Sequence, residues 1–162
     1  MLQRGDIAPD FDLPALVGGV KQRFRLSEHR GKQNLVLAFY PSNWESVSTE
    51  QMVAFQVDRE KFLARNAETV GICVDSIMNT TAWEREIGPF DFPLCSDFWP
   101  HGEVSFRYGL LRDEEPFAGA SARAIIVVNK SGIIEFSKIY PVYEVPAGAD
   151  TLDVLGSLGS AA

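Results

Sequence analysis

Thiols are scarce in this chain of 162 residues: two cysteines, Cys73 and Cys95, and no more. Two thiols do not make a disulfide framework. A reducing, cytoplasmic setting is the simplest expectation. Histidine is equally rare, with only His29 and His101. No metal-ligand cluster, phosphate-binding loop or dinucleotide fingerprint is recognisable, so neither a metal nor a bound cofactor is expected. No apolar run approaches the length of a membrane span. Met1 to Asp6 carries no basic flank followed by an apolar block, so no signal peptide is expected there. Basic residues are outnumbered, with 15 Lys and Arg against 22 Asp and Glu and a formal net charge of -7. That balance argues against nucleic-acid and anionic-membrane partners, which need clustered cations. Repeats, low-complexity tracts and long linkers are absent as well. Residues 1–162 therefore read as a single domain, long enough to bury a proper core.

What is present is a regular alternation of strand and helix signals. Phe11 to Leu13 and Gln22 to Leu26 read as the two strands of a hairpin. Asn34 to Tyr40 is a continuous apolar run, as expected of a strand buried on both faces. A helix should follow, from Trp44 or Val47 to Arg65. Val47, Met52, Phe55, Phe62 and Leu63 supply its apolar stripe, and Ser42 or Asn43 its N-cap. Thr69 to Asp75 reads as a second central strand. A short helix over Thr80 to Ile87 is stopped by Gly88-Pro89. Phe92 to Cys95 is extended, and Gly102 to Tyr108 helical. Ala122 to Asn129 and Gly132 to Ile139 form a second hairpin, and Thr151 to Leu158 a last helix. Buried central strands with helices on both faces predict an α/β sandwich with a mixed sheet.

The segment Phe39-Tyr40-Pro41-Ser42-Asn43-Trp44-Glu45-Ser46-Val47-Ser48 joins a buried strand to a helix. Ser48 falls in that helix's first turn, where unpaired N–H groups and the positive end of the helix dipole favour an anion. A cysteine there would ionise readily. A serine hydroxyl gains far too little and needs an adjacent base to become a nucleophile. Neither histidine lies near it in the sequence. On these grounds Ser48 also reads as an ordinary polar residue of a helix's first turn.

The chain resembles the peroxiredoxins, the alkyl hydroperoxide reductase/thiol-specific antioxidant family. Gly5-Asp6-Ile7-Ala8-Pro9-Asp10-Phe11-Asp12-Leu13 resembles the family's opening. Leu26-Ser27-Glu28-His29-Arg30-Gly31-Lys32 resembles its next motif. Phe39-Tyr40-Pro41 with Trp44 to Ser48 resembles the active-site segment. Phe92 to Ser105 is similar to a stretch of the one-cysteine, AhpE-like branch. Arg123 to Ile134 resembles the arginine strand and hairpin. The resemblance spans residues 5 to 155. It implies a thioredoxin-like fold with a mixed central sheet, flanking helices and an added N-terminal β-hairpin.

The resemblance also implies a chemistry. A cysteine thiolate attacks the peroxide O–O bond and becomes a sulfenic acid. A threonine three residues earlier orients it, a proline shields it and a distant arginine supplies positive charge. Pro41 and Arg123 stand at the proline and arginine positions. Glu45 stands at the threonine position, and Ser48 at that of the peroxidatic cysteine. The resolving cysteine of some relatives has no counterpart in Ser76 to Asn79. These departures point to natural erosion of the site; a deliberate Cys-to-Ser replacement is the alternative.

Two functions follow as expectations. One is a thiol peroxidase lineage reducing hydrogen peroxide and alkyl hydroperoxides, served by an external, thioredoxin-like thiol reductant and assembled as a homodimer. This chain then lacks turnover for want of a thiol at position 48. The other is a non-catalytic ligand- or partner-binding module on the same scaffold. Arg123 could face water at a strand edge; the resemblance puts it in the pocket. There Glu45 and Arg123 should form a bidentate pair. Cys73 and Cys95 read as core thiols, with a redox-active Cys95 beside the vacated site as the alternative. Phe39, Tyr40, Trp44 and Trp99 are candidates for the pocket wall or a subunit contact.

Overall fold

The computed structural model describes residues 1–159. The hairpin strands are β1 (Asp12–Val17) and β2 (Val20–Arg25). They are joined at Gly18-Gly19, both at positive φ (57° and 79°), a conformation that costs glycine nothing. β1 runs beyond the expected Leu13 because Pro14 is tolerated: it pairs on one side only, with β2, while β5 on the other side reaches only Ala15 and Leu16. The remaining strands are β3 (Asn34–Phe39), β4 (Ala67–Cys73), β5 (Leu94–Ser96), β6 (Arg123–Val128) and β7 (Ile134–Tyr140). Together they form one sheet in the order β2-β1-β5-β4-β3-β6-β7. β3 pairs parallel with β4, and β4 with β5; the other pairings are antiparallel. The sheet is thus mixed, as expected.

The helices are α1 (Ser46–Val57), α2 (Arg59–Leu63), α3 (Ile77–Ile87), α4 (Glu103–Arg107) and α5 (Gly148–Gly159). The single helix expected to Arg65 is broken at Asp58, which sits between α1 and α2. Apolar spacing survives the break, since Met52, Phe55 and Phe62 are all buried on one side. Leu63 is exposed. β4 begins and ends two residues earlier than expected, because Asp75 turns out of the sheet to accept the backbone N–H of Asn43 at 2.8 Å.

Side chains alternate across the sheet and divide the core in two. One half packs Leu35, Leu37, Phe39, Val70, Ile72 and Ile126 against the N-terminal hairpin and α4. The other packs Val36, Ala38, Ile125 and Val127 against α1, α2, α3 and α5, through Met52, Phe62, Trp83 and Leu155. α1 comes close to the sheet at Gly71. A Cβ there would meet Leu94 Cδ2 at 2.8 Å and Met52 Sδ at 3.4 Å.

Candidate active site

β3 ends at Phe39, and Tyr40 and Pro41, both buried, lead into the loop before α1. Asn43 pins that loop from inside. Its Oδ1 accepts the Tyr40 hydroxyl at 2.9 Å, and its Nδ2 donates to Thr80 Oγ1 at 2.9 Å and Asn79 Oδ1 at 3.1 Å. Trp44 takes a left-handed backbone conformation (φ 70°) and donates its indole N–H to Asn79 Oδ1 at 3.1 Å. A bulky residue seldom adopts that conformation unless its surroundings hold it there.

Neither Ser42 nor Asn43 caps α1. The N-cap is Glu45, whose carboxylate accepts the backbone N–H of Val47 at 2.9 Å and of Ser48 at 2.7 Å. Asn43 is unavailable as a cap because its side chain is committed to Tyr40, Asn79 and Thr80. Ser42 donates its hydroxyl to the Asn43 carbonyl at 2.8 Å instead. Ser48 is fully buried, and its hydroxyl donates to Glu45 Oε2 at 2.8 Å.

Arg123 opens β6, directly across the sheet from Phe39's end of β3, and is 0% exposed. It does not face water. Nη1 donates to Gln51 Oε1 at 2.8 Å and to Ser48 Oγ at 3.2 Å; Nη2 donates to Glu45 Oε2 at 2.9 Å; Nε donates to the Val142 carbonyl at 3.0 Å. The expected ion pair with Glu45 is therefore present but not bidentate, because Gln51 and Ser48 take the second guanidinium nitrogen. Glu45, Ser48 and Arg123 thus meet at one end of the sheet, and buried Pro41 stands in the loop that leads from β3 to them.

Electrostatics follow from these contacts. Burial pushes the Glu45 carboxyl upward, but the Val47 and Ser48 N–H groups, the Ser48 hydroxyl and Arg123 outweigh it and hold the group below its ordinary value. Burial lowers the Arg123 guanidinium against the pull of Glu45, yet arginine keeps its proton in proteins. The pocket accordingly holds a carboxylate and a guanidinium, with a hydroxyl between them. Such a carboxylate is a weak base, so it does little to activate Ser48 as a nucleophile.

The thiols lie elsewhere. Cys73 is buried beside Asn43 and Asp75, and desolvation pushes its thiol up to about 12. Cys95 packs in the opposite half of the core, and burial raises its thiol too. Neither touches Ser48. His101 lies in a turn, with Nε2 2.6 Å from the Gly119 carbonyl oxygen. Phe39 and Tyr40 are core residues, whereas Trp44 (54%) and Trp99 (81%) are exposed. Among the described residues, no group of three or more His, Cys, Asp and Glu could hold a metal ion. In the same residues, no helix is long and apolar enough to cross a membrane.

Gln51 and the Val142 carbonyl, both partners of Arg123, were not foreseen. Gln51 left one signal: it lies one turn after Ser48, a polar residue at helical spacing between Val47 and Phe55. The Val142 carbonyl left none, because backbone acceptors have no signature in side-chain identity.

Comparison with known proteins agrees with this geometry. The profile of the AhpC/TSA family matches residues 4–137. Alkyl hydroperoxide reductase E of Mycobacterium tuberculosis is 32% identical over 158 residues, covering 98% of this chain and 99% of that protein. Mouse peroxiredoxin-2 is 31% identical, covering 94% of this chain and 76% of that protein. In fold, the chain is similar to the reduced 2-Cys peroxiredoxin of Plasmodium vivax, with a TM-score of 0.90 and 24% identity over 99% of this chain and 83% of that one. That likeness bears out the thioredoxin-like architecture with its N-terminal hairpin. By profile and by relatives alike, the chain belongs to the AhpC/TSA family, that of the peroxiredoxins.

Proposed function

We propose that this chain is a member of a thiol-peroxidase lineage whose chemistry is reduction of hydrogen peroxide and alkyl hydroperoxides, and that the chain as written has no peroxidatic turnover. One observation carries the reading: Ser48 occupies a buried helix-tip site within reach of the Arg123 guanidinium. In the lineage's reaction, a thiolate at that atom attacks the near peroxide oxygen. The O–O bond breaks, alkoxide or hydroxide leaves and takes a proton, and sulfur becomes sulfenic acid. A serine hydroxyl cannot follow it, because its oxygen neither ionises enough nor accepts oxidation. In this reading Ser48 marks the nucleophile position, Arg123 is the electrostatic stabiliser, Pro41 the shield, and Glu45 replaces the orienting threonine.

Two buried thiols outside any disulfide support a reducing, cytoplasmic setting. A homodimer is supported by exposed apolar residues: Trp44 on the active-site loop, Met78 in α3, and Phe98 and Trp99 after β5. An external thioredoxin-like thiol would serve the cysteine-bearing form.

The test is peroxide consumption with a thiol reductant by the chain, by Ser48→Cys and by Ser48→Cys/Glu45→Thr. Turnover in a cysteine form and none in the chain supports the reading. Turnover by the unaltered chain, or by neither cysteine form, overturns it.

The second reading, a non-catalytic binding module, is favoured by a specific feature. Glu45 already fills the donors that an incoming peroxide would use, which favours a role without turnover.

A further inference from the structure

One buried hydrogen-bond donor is left over after the contacts described so far. Arg123 Nη1 donates to Gln51 Oε1 at 2.8 Å. A guanidinium can only donate, so this contact fixes which end of the carboxamide faces it. Gln51 Nε2 is therefore turned away from Arg123. The residue is 1% exposed, and Nε2 has no partner among the described residues. Buried donors are nearly always satisfied in folded proteins. This one is also sharpened, because an amide whose oxygen accepts from a cation is polarised along its length.

Gln51 lines a cavity of about 40 Å³ between α1, α2 and the start of α5. Glu45, Ser48 and Arg123 do not line it, so it is separate from the pocket described above. On α1 its wall is Gln51, Phe55 and Asp58, at i, i+4 and i+7, a single stripe of the helix. Phe62 of α2, Pro146 and Gly148 form the opposite wall.

The two ends of the stripe differ in chemistry. Gln51 presents a buried carboxamide. Asp58 presents a carboxylate at the surface, 31% exposed. Lys61 Nζ stands 3.2 Å from Asp58 Oδ1, whereas Oδ2 lies toward Gly148, where a Cβ would come within 3.7 Å of it. Phe55, Phe62 and Pro146 make the middle apolar. Helical rise separates Gln51 and Asp58 by about 10 Å along α1, and a hydrogen bond takes up about 3 Å at each end, which leaves about 4 to 5 Å between the polar atoms of a ligand.

This layout specifies its ligand. An acceptor must meet Nε2, a short apolar middle must lie on the rings, and a cation must face Asp58. Anions are disfavoured by Asp58 and by the net charge of -7. We propose that the cavity is a binding site for short ω-amino alcohols, the hydroxyl oxygen accepting from Gln51 Nε2 and the ammonium facing Asp58. Three carbons between oxygen and nitrogen match the span. The carboxamide that reads the hydroxyl also holds Arg123, so the cavity and the active-site arginine share one side chain. The site goes beyond the peroxidase reading and does not depend on the atom at position 48.

The experiment is titration of the full chain with ethanolamine, propanolamine and pentanolamine at neutral pH and constant ionic strength. Propylamine and propanol, each lacking one end, are the controls. The readout is the Nε2 proton and nitrogen shifts of the Gln51 side chain and the amide shifts of Gly148. Saturable shifts are expected, with propanolamine bound most tightly and each control at least about threefold weaker. Asp58→Asn should erase the preference for propanolamine over propanol, and Gln51→Leu the preference for propanolamine over propylamine. Should Gln51→Leu fail to fold, the Gln51 side-chain shifts and Asp58→Asn still decide. Absence of saturable shifts, which would leave the cavity to solvent alone, overturns the proposal. So does equal affinity along the series or an unchanged preference in Asp58→Asn. No peroxide or reductant enters this experiment, so its failure is separable from failure of the peroxidase assay.

Discussion

Glu45 and Ser48 are joined twice through a single oxygen. Oε2 of Glu45 accepts both the backbone N–H of Ser48, at 2.7 Å, and its hydroxyl, at 2.8 Å. A negative charge therefore lies against the Ser48 hydroxyl, the atom proposed to stand where the lineage carries sulfur.

This contact determines what a restored thiol would do. In Ser48→Cys the sulfur sits beside a carboxylate that already pairs with Arg123. Repulsion disfavours the thiolate, so the thiol pKa is expected at or above the ordinary value of about 8.5. In Ser48→Cys/Glu45→Thr the carboxylate is gone, and the pKa should fall by at least about one unit. Thiolate absorbance and alkylation rate against pH measure both.

Removing the carboxylate alone should be costly. Glu45→Gln leaves Arg123 buried without its counter-ion and weakens the cap of α1. Breaking a buried pair from one side costs about 3 kcal/mol or more. Urea unfolding at neutral pH gives the difference, and a loss below about 1 kcal/mol would show that Gln51 and Val142 suffice for the guanidinium.

The same group predicts an acid response. The folded state holds the Glu45 carboxyl below its ordinary value. Its stabilisation is fully present above the unfolded value of about 4.3. It is lost as pH falls through the lower, folded value. Below about pH 4.3 the unaltered chain should therefore lose stability faster than Glu45→Gln, and the two curves should converge. Parallel curves through that window would contradict the pairing.

Asn43 offers a test of the loop. Asn43→Ala orphans the Tyr40 hydroxyl and removes the links to Asn79 and Thr80. A loss of about 2 kcal/mol is expected, with faster amide exchange at Val47 and Ser48. Unchanged exchange would mean that Glu45 and Arg123 alone order the first turn of α1.

The thiols should be inert. Burial pushes Cys73 up to about 12 and raises Cys95 as well. At pH 8 the native protein should resist a disulfide-exchange reagent, and both thiols should react after denaturation. Rapid native labelling of Cys95 would revive a redox role for it.

How much of this was legible depends on the residue. The runs Asn34–Phe39 and Arg123–Val128 announce buried central strands because apolar residues continue without alternation. Gly88-Pro89 announces the end of α3. Asp58 hides the break between α1 and α2, since the spacing of Met52, Phe55 and Phe62 carries on across it. The convergence of Glu45 with Arg123 was legible from the family pattern, as was the position of Ser48. The cap was not. Glutamate is a poor N-cap by propensity, and it succeeds here only because Arg123 and Ser48 share its charge. Asn43 looked like the better cap and was claimed by Tyr40, Asn79 and Thr80 instead.

Gly71 extends the story to a position with no side chain at all. Met52 rests over it, one turn along α1 from Ser48. The missing methyl leaves room for Leu94 and Met52 to pack beneath the helix, whose leading hydroxyl meets a guanidinium from β6, two strands over. The charges of the pocket thus rest on apolar packing that a side chain at Gly71 would crowd.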